Sequence, residues 1–262
     1  MNRRFALLLF LCGATMPAQS DGPAVSVVQF LHIVADLDQS LAFYHDQLGL
    51  ARRGPAGAPK FTDNPAVANL YGVPGRQFRA AVLNIPGSTF GIELVQWGDS
   101  AEPLRADGYA RLMLYRVDGS PYRPDRYPTL LLDPDGLQLE VERAERVAVC
   151  VGIQADDVPK TAALYTKVFG FKADGKWLST PGSDVRIWLG ASRPSDVYSK
   201  PARAMLRLQV RNIDALTESL KSSGFSVITT GGAPVTLPQG PRVIILRDPN
   251  NFYWQLMEAP QK

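Results

Sequence analysis

The chain has 262 residues, of which 45% are apolar and 20% are charged, a composition typical of a folded protein rather than a disordered one. Its 28 Lys and Arg residues nearly balance its 25 Asp and Glu residues. Because no block of basic residues interrupts the sequence, nucleic acid is not expected as a partner.

Residues 1–20 have the pattern of a secretory signal peptide. Two arginines precede an apolar run that ends at Cys12, and small or helix-breaking residues follow as far as Ser20. The run is shorter than the roughly 20 apolar residues of a membrane-spanning helix. We therefore expect an exported protein, periplasmic or secreted, with no membrane contact after signal removal. Cys150 is then the only cysteine, so no intramolecular disulfide is expected.

Two segments separated by about 120 residues repeat the same order of strand, helix cap, helix and glycine. The strands are predicted at 25–34 and 146–155, and the helices at 36–49 and 157–170. Asp36 and Asp157 are suited to accept hydrogen bonds from the free N–H groups at a helix start. Gly49 and Gly170 supply the left-handed residue that ends a helix. Each helix has one apolar stripe and is expected to lie on a sheet.

Further strands are predicted downstream in both copies, at 78–85, 91–97, 111–117, 185–189 and 205–210. Each copy then ends on a tight turn that leads into a strand. The two turns are Asp133-Pro-Asp-Gly136 and Asp248-Pro-Asn-Asn251. Proline presets one backbone angle of such a turn, and Gly or Asn accepts a positive φ.

On these residues the chain resembles the glyoxalase/bleomycin-resistance/extradiol-dioxygenase family, also called the vicinal oxygen chelate superfamily. The motifs that carry the resemblance are Asp36-Leu-Asp-x-Ser-x-x-Phe-Tyr-x-x-x-Leu-Gly49, Gly91-Ile-Glu-Leu94 and Asp133-Pro-Asp-Gly-x-x-x-Glu140. The resemblance implies an α+β fold of tandem βαβββ modules, in which curved mixed sheets have helices packed outside. It implies a first glyoxalase-like domain at 25–145 and a second at 146–260. The segment between Val117 and Leu130 is too short to hold a module's helix, so the second module is expected to be trimmed.

The resemblance also implies a metal site, because the ligands of the family come from the first and last strands of each module. The corresponding positions are Gln29, Glu93 and Glu140, and the fourth position falls on Leu112. An all-oxygen set suits Mg, Mn or Ca better than Zn or Fe. Glu93 and Glu140 would also be the carboxylates available for proton transfer. The alternative interpretation is that both are ordinary surface carboxylates.

The second copy departs from the ligand pattern, since its matching positions are Cys150, Trp188, Met205 and Gln255. We expect this copy to be structural or to shape a ligand cup. His32 lies on the opposite strand face from Gln29 and is expected to pack under the helix. A ligand role for His32 would need a β-bulge between residues 29 and 32.

Two pairings of the four modules are compatible with the sequence. Pairing within the first domain joins Gln29 and Glu93 to Glu140, which makes the better cation site. Pairing of the first module with the fourth joins them instead to Gln255 and Met205.

Three functions follow from the resemblance. The first is a divalent-metal-dependent lyase or epimerase acting on a small oxygen-rich substrate. The second is a non-catalytic small-molecule-binding protein of the bleomycin-resistance type, and the third is an inert scaffold. A dioxygenase is the least expected chemistry, because its Fe(II) site normally needs two histidines beside a carboxylate. His32 and His45 are the only histidines of the chain.

Overall fold

The computed structural model describes residues 23–54, 59–85, 87–98, 110–116, 129–141, 147–191 and 203–259. The predicted signal peptide at 1–20 lies outside these residues. So does most of the segment between Val117 and Leu130, where the second module is expected to be trimmed. No helix in the described ranges is long and apolar enough to cross a membrane.

The first half of the chain contains eight described strands and two short helices, one of which continues as a π-helical turn. These elements are β1 (Ala24–Ile33), α1 (Leu37–Leu41), the π-helical turn (Ala42–Gln47), β2 (Ala51–Arg53), β3 (Thr62–Asp63), α2 (Pro65–Leu70), β4 (Gln77–Asn84), β5 (Gly91–Trp97), β6 (Ala110–Arg116), β7 (Thr129–Leu132) and β8 (Gln138–Val141). Strands β1 to β5 form module 1, and β6 to β8 form module 2.

The second half contains nine described strands and two longer helices. These elements are β9 (Val147–Ala155), α3 (Val158–Phe169), β10 (Lys172–Asp174), β11 (Trp177–Ser179), β12 (Arg186–Ala191), β13 (Ala204–Val210), α4 (Ile213–Ser222), β14 (Ser226–Val227), β15 (Val235–Thr236), β16 (Arg242–Arg247) and β17 (Tyr253–Glu258). Strands β9 to β12 form module 3, and β13 to β17 form module 4.

The strands form two mixed sheets, and each sheet combines one module from each half of the chain. Sheet A has the order β14-β16-β17-β13-β1-β5-β4-β2, with β15 and β3 paired to its outer strands. Sheet B has the order β10-β11-β12-β9-β6-β8-β7. The modules are joined by antiparallel pairing of β1 with β13 and of β6 with β9. Module 1 is thus paired with module 4, and module 2 with module 3.

Alternation along the strands gives each sheet a helix face and an opposite face, which we call its cup face. Phe30 of β1 and Val34, which directly follows the strand, pack in the larger core, which the helices share with both sheets. Leu31 and Ile33 point the other way, into a smaller core on the cup face of sheet A. The predicted alternation of β1 is therefore confirmed, and Gln29 lies on the cup face.

The helix caps form as the sequence predicts. The Asp36 carboxylate accepts hydrogen bonds from the backbone N–H groups of Asp38 and Gln39, and Asp157 accepts one from Lys160. Gly170 ends α3 with a left-handed φ of 76°.

The first helix differs from the prediction, because it changes from α to π after Leu41. Its backbone bonds then run from Leu48 N–H to the Phe43 carbonyl, which is an i→i+5 bond. The wider turn brings Phe43 and Tyr44, which are adjacent in sequence, to the buried side together. The Tyr44 hydroxyl donates a hydrogen bond to Asp133, in the turn of module 2.

Candidate functional site

The cup face of sheet A brings side chains of four strands together in two neighbouring rows. In the backbone register, Gln29 of β1 lies opposite Arg207 of β13, and Arg207 lies beside Gln255 of β17. Glu93 of β5 is paired with Leu31, one cup-face position further along β1. The first and last strands of modules 1 and 4 thus meet where the superfamily resemblance implies a metal centre.

At this point the side chains form a hydrogen-bonded group that we call the Arg207 quartet, consisting of Gln29, Glu93, Arg207 and Gln255. The Arg207 guanidinium donates from Nε to Gln255 Oε1, from Nη1 to Gln29 Oε1 and from Nη2 to Glu93 Oε2, the last at 2.8 Å. Arg207 is 8% exposed and Gln255 is 1% exposed, so the bonds lie away from solvent. A buried charge needs such partners, because desolvation without them is costly.

Arg207 was not among the residues that the sequence singled out. The residues expected from the fourth module were Gln255, which is in the quartet, and Met205, which is buried in the cup core opposite Leu31, one cup-face position from Arg207. One feature of the sequence does indicate Arg207, because it is the one charged residue within the apolar strand Ala204–Val210. Arginine is seldom buried without a partner, so an arginine in an apolar strand predicts an acidic neighbour.

The C-terminal end of helix α2 covers the quartet. Tyr71, at the C-terminal end of α2, is 3% exposed and hydrogen-bonded to Gln255. Burial, together with the negative charge of Glu93, raises the pKa of the Tyr71 hydroxyl well above its usual range. The α2 end is fastened to module 4, since Thr229 Oγ1 donates to the Leu70 carbonyl at 3.0 Å. Side chains such as Tyr71 and Leu237 therefore fill this cup.

The residues at this centre do not fit a divalent cation while Arg207 is among them. All three oxygen donors are turned toward the guanidinium, which already supplies the positive charge. A metal ion would have to share the same ligands with a cation of like charge. Of the three predicted ligands, the structure brings Gln29 and Glu93 together. It places Glu140 on β8 of sheet B, away from the quartet.

The backbone register of sheet B identifies the residues at the positions equivalent to those of the quartet on sheet A. Glu140 is paired with Met113, and Met113 with Cys150, so these three correspond to Gln255, Arg207 and Gln29. Trp188, paired with Gly152, corresponds to Glu93. Leu112, the expected fourth ligand position of the first domain, is instead buried on the helix face.

The described cup-face residues of sheet B are more open than those of sheet A. Glu140 and Trp188 are partly exposed, and the Arg186 guanidinium lies 4.6 Å from the centre of the Trp177 ring. The Trp188 ring lies against Gly190, where an added Cβ would come within 2.4 Å of it. Burial, assisted by the charge of Glu140, raises the pKa of the Cys150 thiol to about 12. The free thiol of Cys150 is therefore neutral at pH 7.

A second group of potential metal ligands lies on the helix face, formed by His32, Asp133 and Asp135. Their ligand atoms lie within 4.8 Å of one another. His32 Nε2 is 2.9 Å from Asp133 Oδ2, which also accepts a hydrogen bond from the Tyr44 hydroxyl. Asp135 Oδ1 accepts the Ala35 N–H at 3.0 Å. A metal could bind here only by breaking the His32–Asp133 ion pair.

The ion pair shifts both pKa values. Burial by itself would lower the pKa of His32, but the hydrogen bond and charge of Asp133 outweigh it, so the pKa is raised. Burial would raise the pKa of Asp133, but His32 outweighs that effect, so this pKa is lowered. The register shifts of β1 against β13 occur before Gln29 and not between residues 29 and 32. His32 accordingly points under the helix, as the alternation predicts.

The second copy repeats this arrangement without the histidine. Asp248 accepts hydrogen bonds from Tyr165 of α3 and, at 3.1 Å, from Trp254 Nε1. Both turn aspartates also accept the backbone N–H groups two and four residues later. Because neither partner of Asp248 is cationic, burial dominates and its pKa is raised. The two turns therefore tie each helix to the module that follows it.

Residues 146–256 match the model of the family described as the Glyoxalase/Bleomycin resistance protein/Dioxygenase superfamily. These residues belong to that superfamily. The resemblance seen in the sequence is thus confirmed, and so is the α+β fold of βαβββ modules. No curated protein matches the chain in sequence.

Solved structures extend the likeness of fold to most of the chain. A mutant of glyoxalase I from Zea mays is similar over 89% of this chain and 92% of that chain, with 16% identity and a TM-score of 0.58. A protein from Bacillus subtilis described as a candidate dioxygenase is similar over 92% of this chain and 87% of that chain, with 15% identity and a TM-score of 0.58. At these identities the likeness establishes the fold and not the reaction.

Proposed function

We propose that this protein is a small-molecule-binding member of the superfamily that works without a metal, in the manner of the bleomycin-resistance type. The observation that carries the proposal is the Arg207 guanidinium, bound by Gln29, Glu93 and Gln255 at the point where a metal would be expected.

The quartet argues against a divalent-metal lyase or epimerase for a chemical reason. A metal ion polarises a substrate oxygen because it accepts a lone pair at an open coordination position. A guanidinium offers only N–H donors and has no such position. Glu93, the carboxylate expected to move a proton, is instead engaged by Arg207 at 2.8 Å. Glu140 lies on the other sheet and is not among the residues that surround Glu93 in the quartet.

A dioxygenase is disfavoured by the positions of the two histidines. The His32 ring is buried against Asp133, and the His45 side chain is 49% exposed on the π-helical turn. Neither histidine takes part in the quartet, so two histidines and a carboxylate do not meet at this centre.

The proposed binding surface is the cup face of sheet B. Ligand sites are mostly apolar and contain a few polar groups that fix orientation. Trp177 and Trp188 supply aromatic surface there, while Arg186 and Glu140 supply one charge of each sign. The cup face of sheet A is less suited, because Tyr71, Trp97 and neighbouring side chains already fill it.

We also propose that the protein is exported and that its partner is a small molecule rather than nucleic acid. The support is the signal-peptide pattern of residues 1–20 and the balanced charge of the chain. Expression with the intact N-terminus in a bacterial host tests export. We expect a shortened protein in the periplasmic fraction, whose N-terminal residue lies close to residue 20. A full-length protein confined to the cytoplasm would contradict export.

The function is tested by ligand-induced thermal stabilisation, with metal-free bleomycin as the first probe, followed by a panel of small aromatic compounds. We expect any shift in Tm to be equal in EDTA and in Mn²⁺, because binding does not use a metal. The shift should shrink in Trp188→Ala and persist in Glu93→Gln. A shift that requires a divalent ion and disappears in Glu93→Gln would support the metal-dependent enzyme instead.

A further inference from the structure

We infer that the three residues before Pro23 dock in a groove between helices α3 and α4 and fasten the two helices to β1. These residues, Ser20-Asp21-Gly22, are called the docking segment below. The inference goes beyond the proposed function, because it does not depend on which ligand the protein binds. It requires only a mature chain that still contains Asp21.

The groove has a volume of about 410 Å³ and is lined by both helices. Its floor is apolar, since it includes Val168 of α3 and Leu216 of α4, which are 3% and 4% exposed. Ala215 and Ser219, one turn apart on α4, leave room beside that floor because both side chains are small. The volume lies at the small end of ligand pockets, about 300–1,000 Å³, and therefore suits a few residues of extended chain.

Pro23 brings the docking segment to this groove, because Pro23 is itself one of the lining residues. Its carbonyl accepts the Arg211 N–H at 2.9 Å, which fixes it beside the end of β13. Proline has no N–H, so it cannot donate to the sheet in return. Asp21 is two residues away, and its Cα can lie no more than about 7 Å from that of Pro23. The docking segment therefore begins at the groove wall.

Charge favours docking of this segment in particular. Among the described residues that line the groove, Lys167 and Arg211 are cationic and none is acidic. Asp21 is the only acidic residue before Asp36 in the sequence, so the docking segment carries one isolated negative charge. A carboxylate beside two cations on the rim of an apolar groove is a favourable arrangement, although each exposed ion pair contributes little by itself.

A free anion is a less suitable occupant of the same groove. The N-terminal N–H groups of α4 would be its natural donors, but they already have partners within the chain. The Ala215 N–H is bound by the Asn212 side chain at 3.2 Å, and the Ile213 N–H by Glu258 at 3.5 Å. The docking segment has the further advantage of covalent attachment, which gives it an effective concentration on the order of mM.

The test is ¹⁵N relaxation of a mature-length chain that begins at Gln19 and contains every described residue. We expect order parameters of about 0.85 for the amides of Asp21 and Gly22, the value of rigid backbone. Lys167→Glu should lower both below about 0.6, the range of flexible backbone. Lys172→Glu is the matched control, because it makes the same charge change on β10, outside the groove, and should leave both values unchanged.

Two further variants test the charge and the space separately. Asp21→Lys should free the docking segment, and its combination with Lys167→Glu should restore order, because the exchanged charges again attract. Ala215→Tyr should also free the segment, since the ring occupies the groove without changing any charge. Circular dichroism and gel filtration show which variants remain folded and monomeric.

Four outcomes would overturn the inference. One is a wild-type docking segment with order parameters below about 0.6. The second is a segment that stays rigid in folded Lys167→Glu and Ala215→Tyr variants, which would place it outside the groove. The third is rigidity that appears only with dimer formation, which would assign the groove to a second copy of the chain. The last is binding of acetate or phosphate to the groove beside a flexible segment.

These outcomes are distinct from a failure of the proposed function. None of the four concerns the cup face of sheet B or the need for a metal, so each leaves the metal-independent binding function standing.

Discussion

Arg207 determines the chemistry of its cup because a guanidinium offers only N–H donors and has no open coordination position for a lone pair. The position could be predicted only in part. The family resemblance points to Gln29, Glu93 and Gln255, because each lies at a fixed place in a local motif of the chain. It does not indicate that the three meet at Arg207, because that meeting depends on which modules pair.

The first prediction concerns the ion pair of the quartet. Arg207→Met and Glu93→Gln each leave the other residue's charge buried without its counter-ion, so each should lower the free energy of unfolding by about 3–5 kcal/mol. The double variant contains neither charge and should lose less than the sum of the two. Urea unfolding of the four proteins measures this coupling. Additive losses would mean that the two side chains do not interact.

The second prediction concerns the His32–Asp133 pair. The raised pKa of His32 adds stability below the ordinary value of 6.5, and that stability is lost as the pH rises through the folded-state pKa. The lowered pKa of Asp133 adds stability above the ordinary value of 3.8, and that stability is lost as the pH falls through the folded-state pKa. The full effect is therefore expected between pH 3.8 and 6.5.

His32→Phe should accordingly cost most within that window, about 3 kcal/mol, and less on either side of it. Urea unfolding of wild type and variant across a pH series gives the difference directly. Asp133→Asn should abolish the loss of stability that the ion pair causes on acidification, because the variant has no carboxylate to protonate. A His32→Phe penalty that stays constant from pH 3 to 9 would show that the histidine acts only by packing.

At the scale of elements, the predictable features are those set by neighbouring residues. The helix starts at Asp36 and Asp157 and the left-handed end at Gly170 follow from capping chemistry, and all three form. The π-helical turn was not predicted, because Leu41, Tyr44 and Leu48 also fit an ordinary helix stripe. The local pattern also does not reveal that Tyr44 bonds to Asp133, 89 residues further along the chain.

Helix α2 is the element that closes the cup of sheet A, and its attachment gives the third prediction. Gly72 has a φ of +71°, and an added Cβ would lie 2.9 Å from the carbonyl oxygen of Ile228. Gly72→Ala should therefore separate α2 from module 4 and destabilise the protein by about 2–3 kcal/mol.

Gly75 is the matched control for Gly72. Its φ of +77° is similar, but an added Cβ would meet nothing within 4 Å. Gly75→Ala should thus lower the free energy of unfolding only by the backbone strain, about 1–2 kcal/mol. Hydrogen exchange of the Thr230 amide, which donates to the Asn69 carbonyl, should be faster in Gly72→Ala alone. Equal effects of the two substitutions would show that the contact with Ile228 is unimportant.

At the scale of the whole molecule, the order of elements was predictable and the pairing of modules was not. Each module repeats a local pattern, and the same patterns allow pairing within one half or across halves. The structure pairs β1 with β13 and β6 with β9, so both sheets contain strands from both halves. The sequence is compatible with both pairings, and the structure shows that Gln29 and Glu93 lie beside residues of module 4.

The fourth prediction follows from this pairing of modules from different halves of the chain. A fragment of residues 23–145 contains β1 and β6 but neither of their antiparallel partners, so it should not fold into a stable monomer. The same holds for residues 146–262. Mixing the two fragments should restore the circular dichroism spectrum and cooperative unfolding of the intact chain. A cooperatively folded, monomeric 23–145 fragment would show that the predicted domain at 25–145 is independent and that the pairing is wrong.

The central claim is that a guanidinium, and not a metal, occupies the centre of the sheet A cup. The most direct measurement is anomalous diffraction at the manganese edge from a crystal of the wild-type protein grown in MnCl₂. We predict electron density for Arg207 in contact with Gln29, Glu93 and Gln255, without an anomalous peak among them. A manganese peak bound by Gln29 and Glu93, with the Arg207 side chain turned away, would contradict the account.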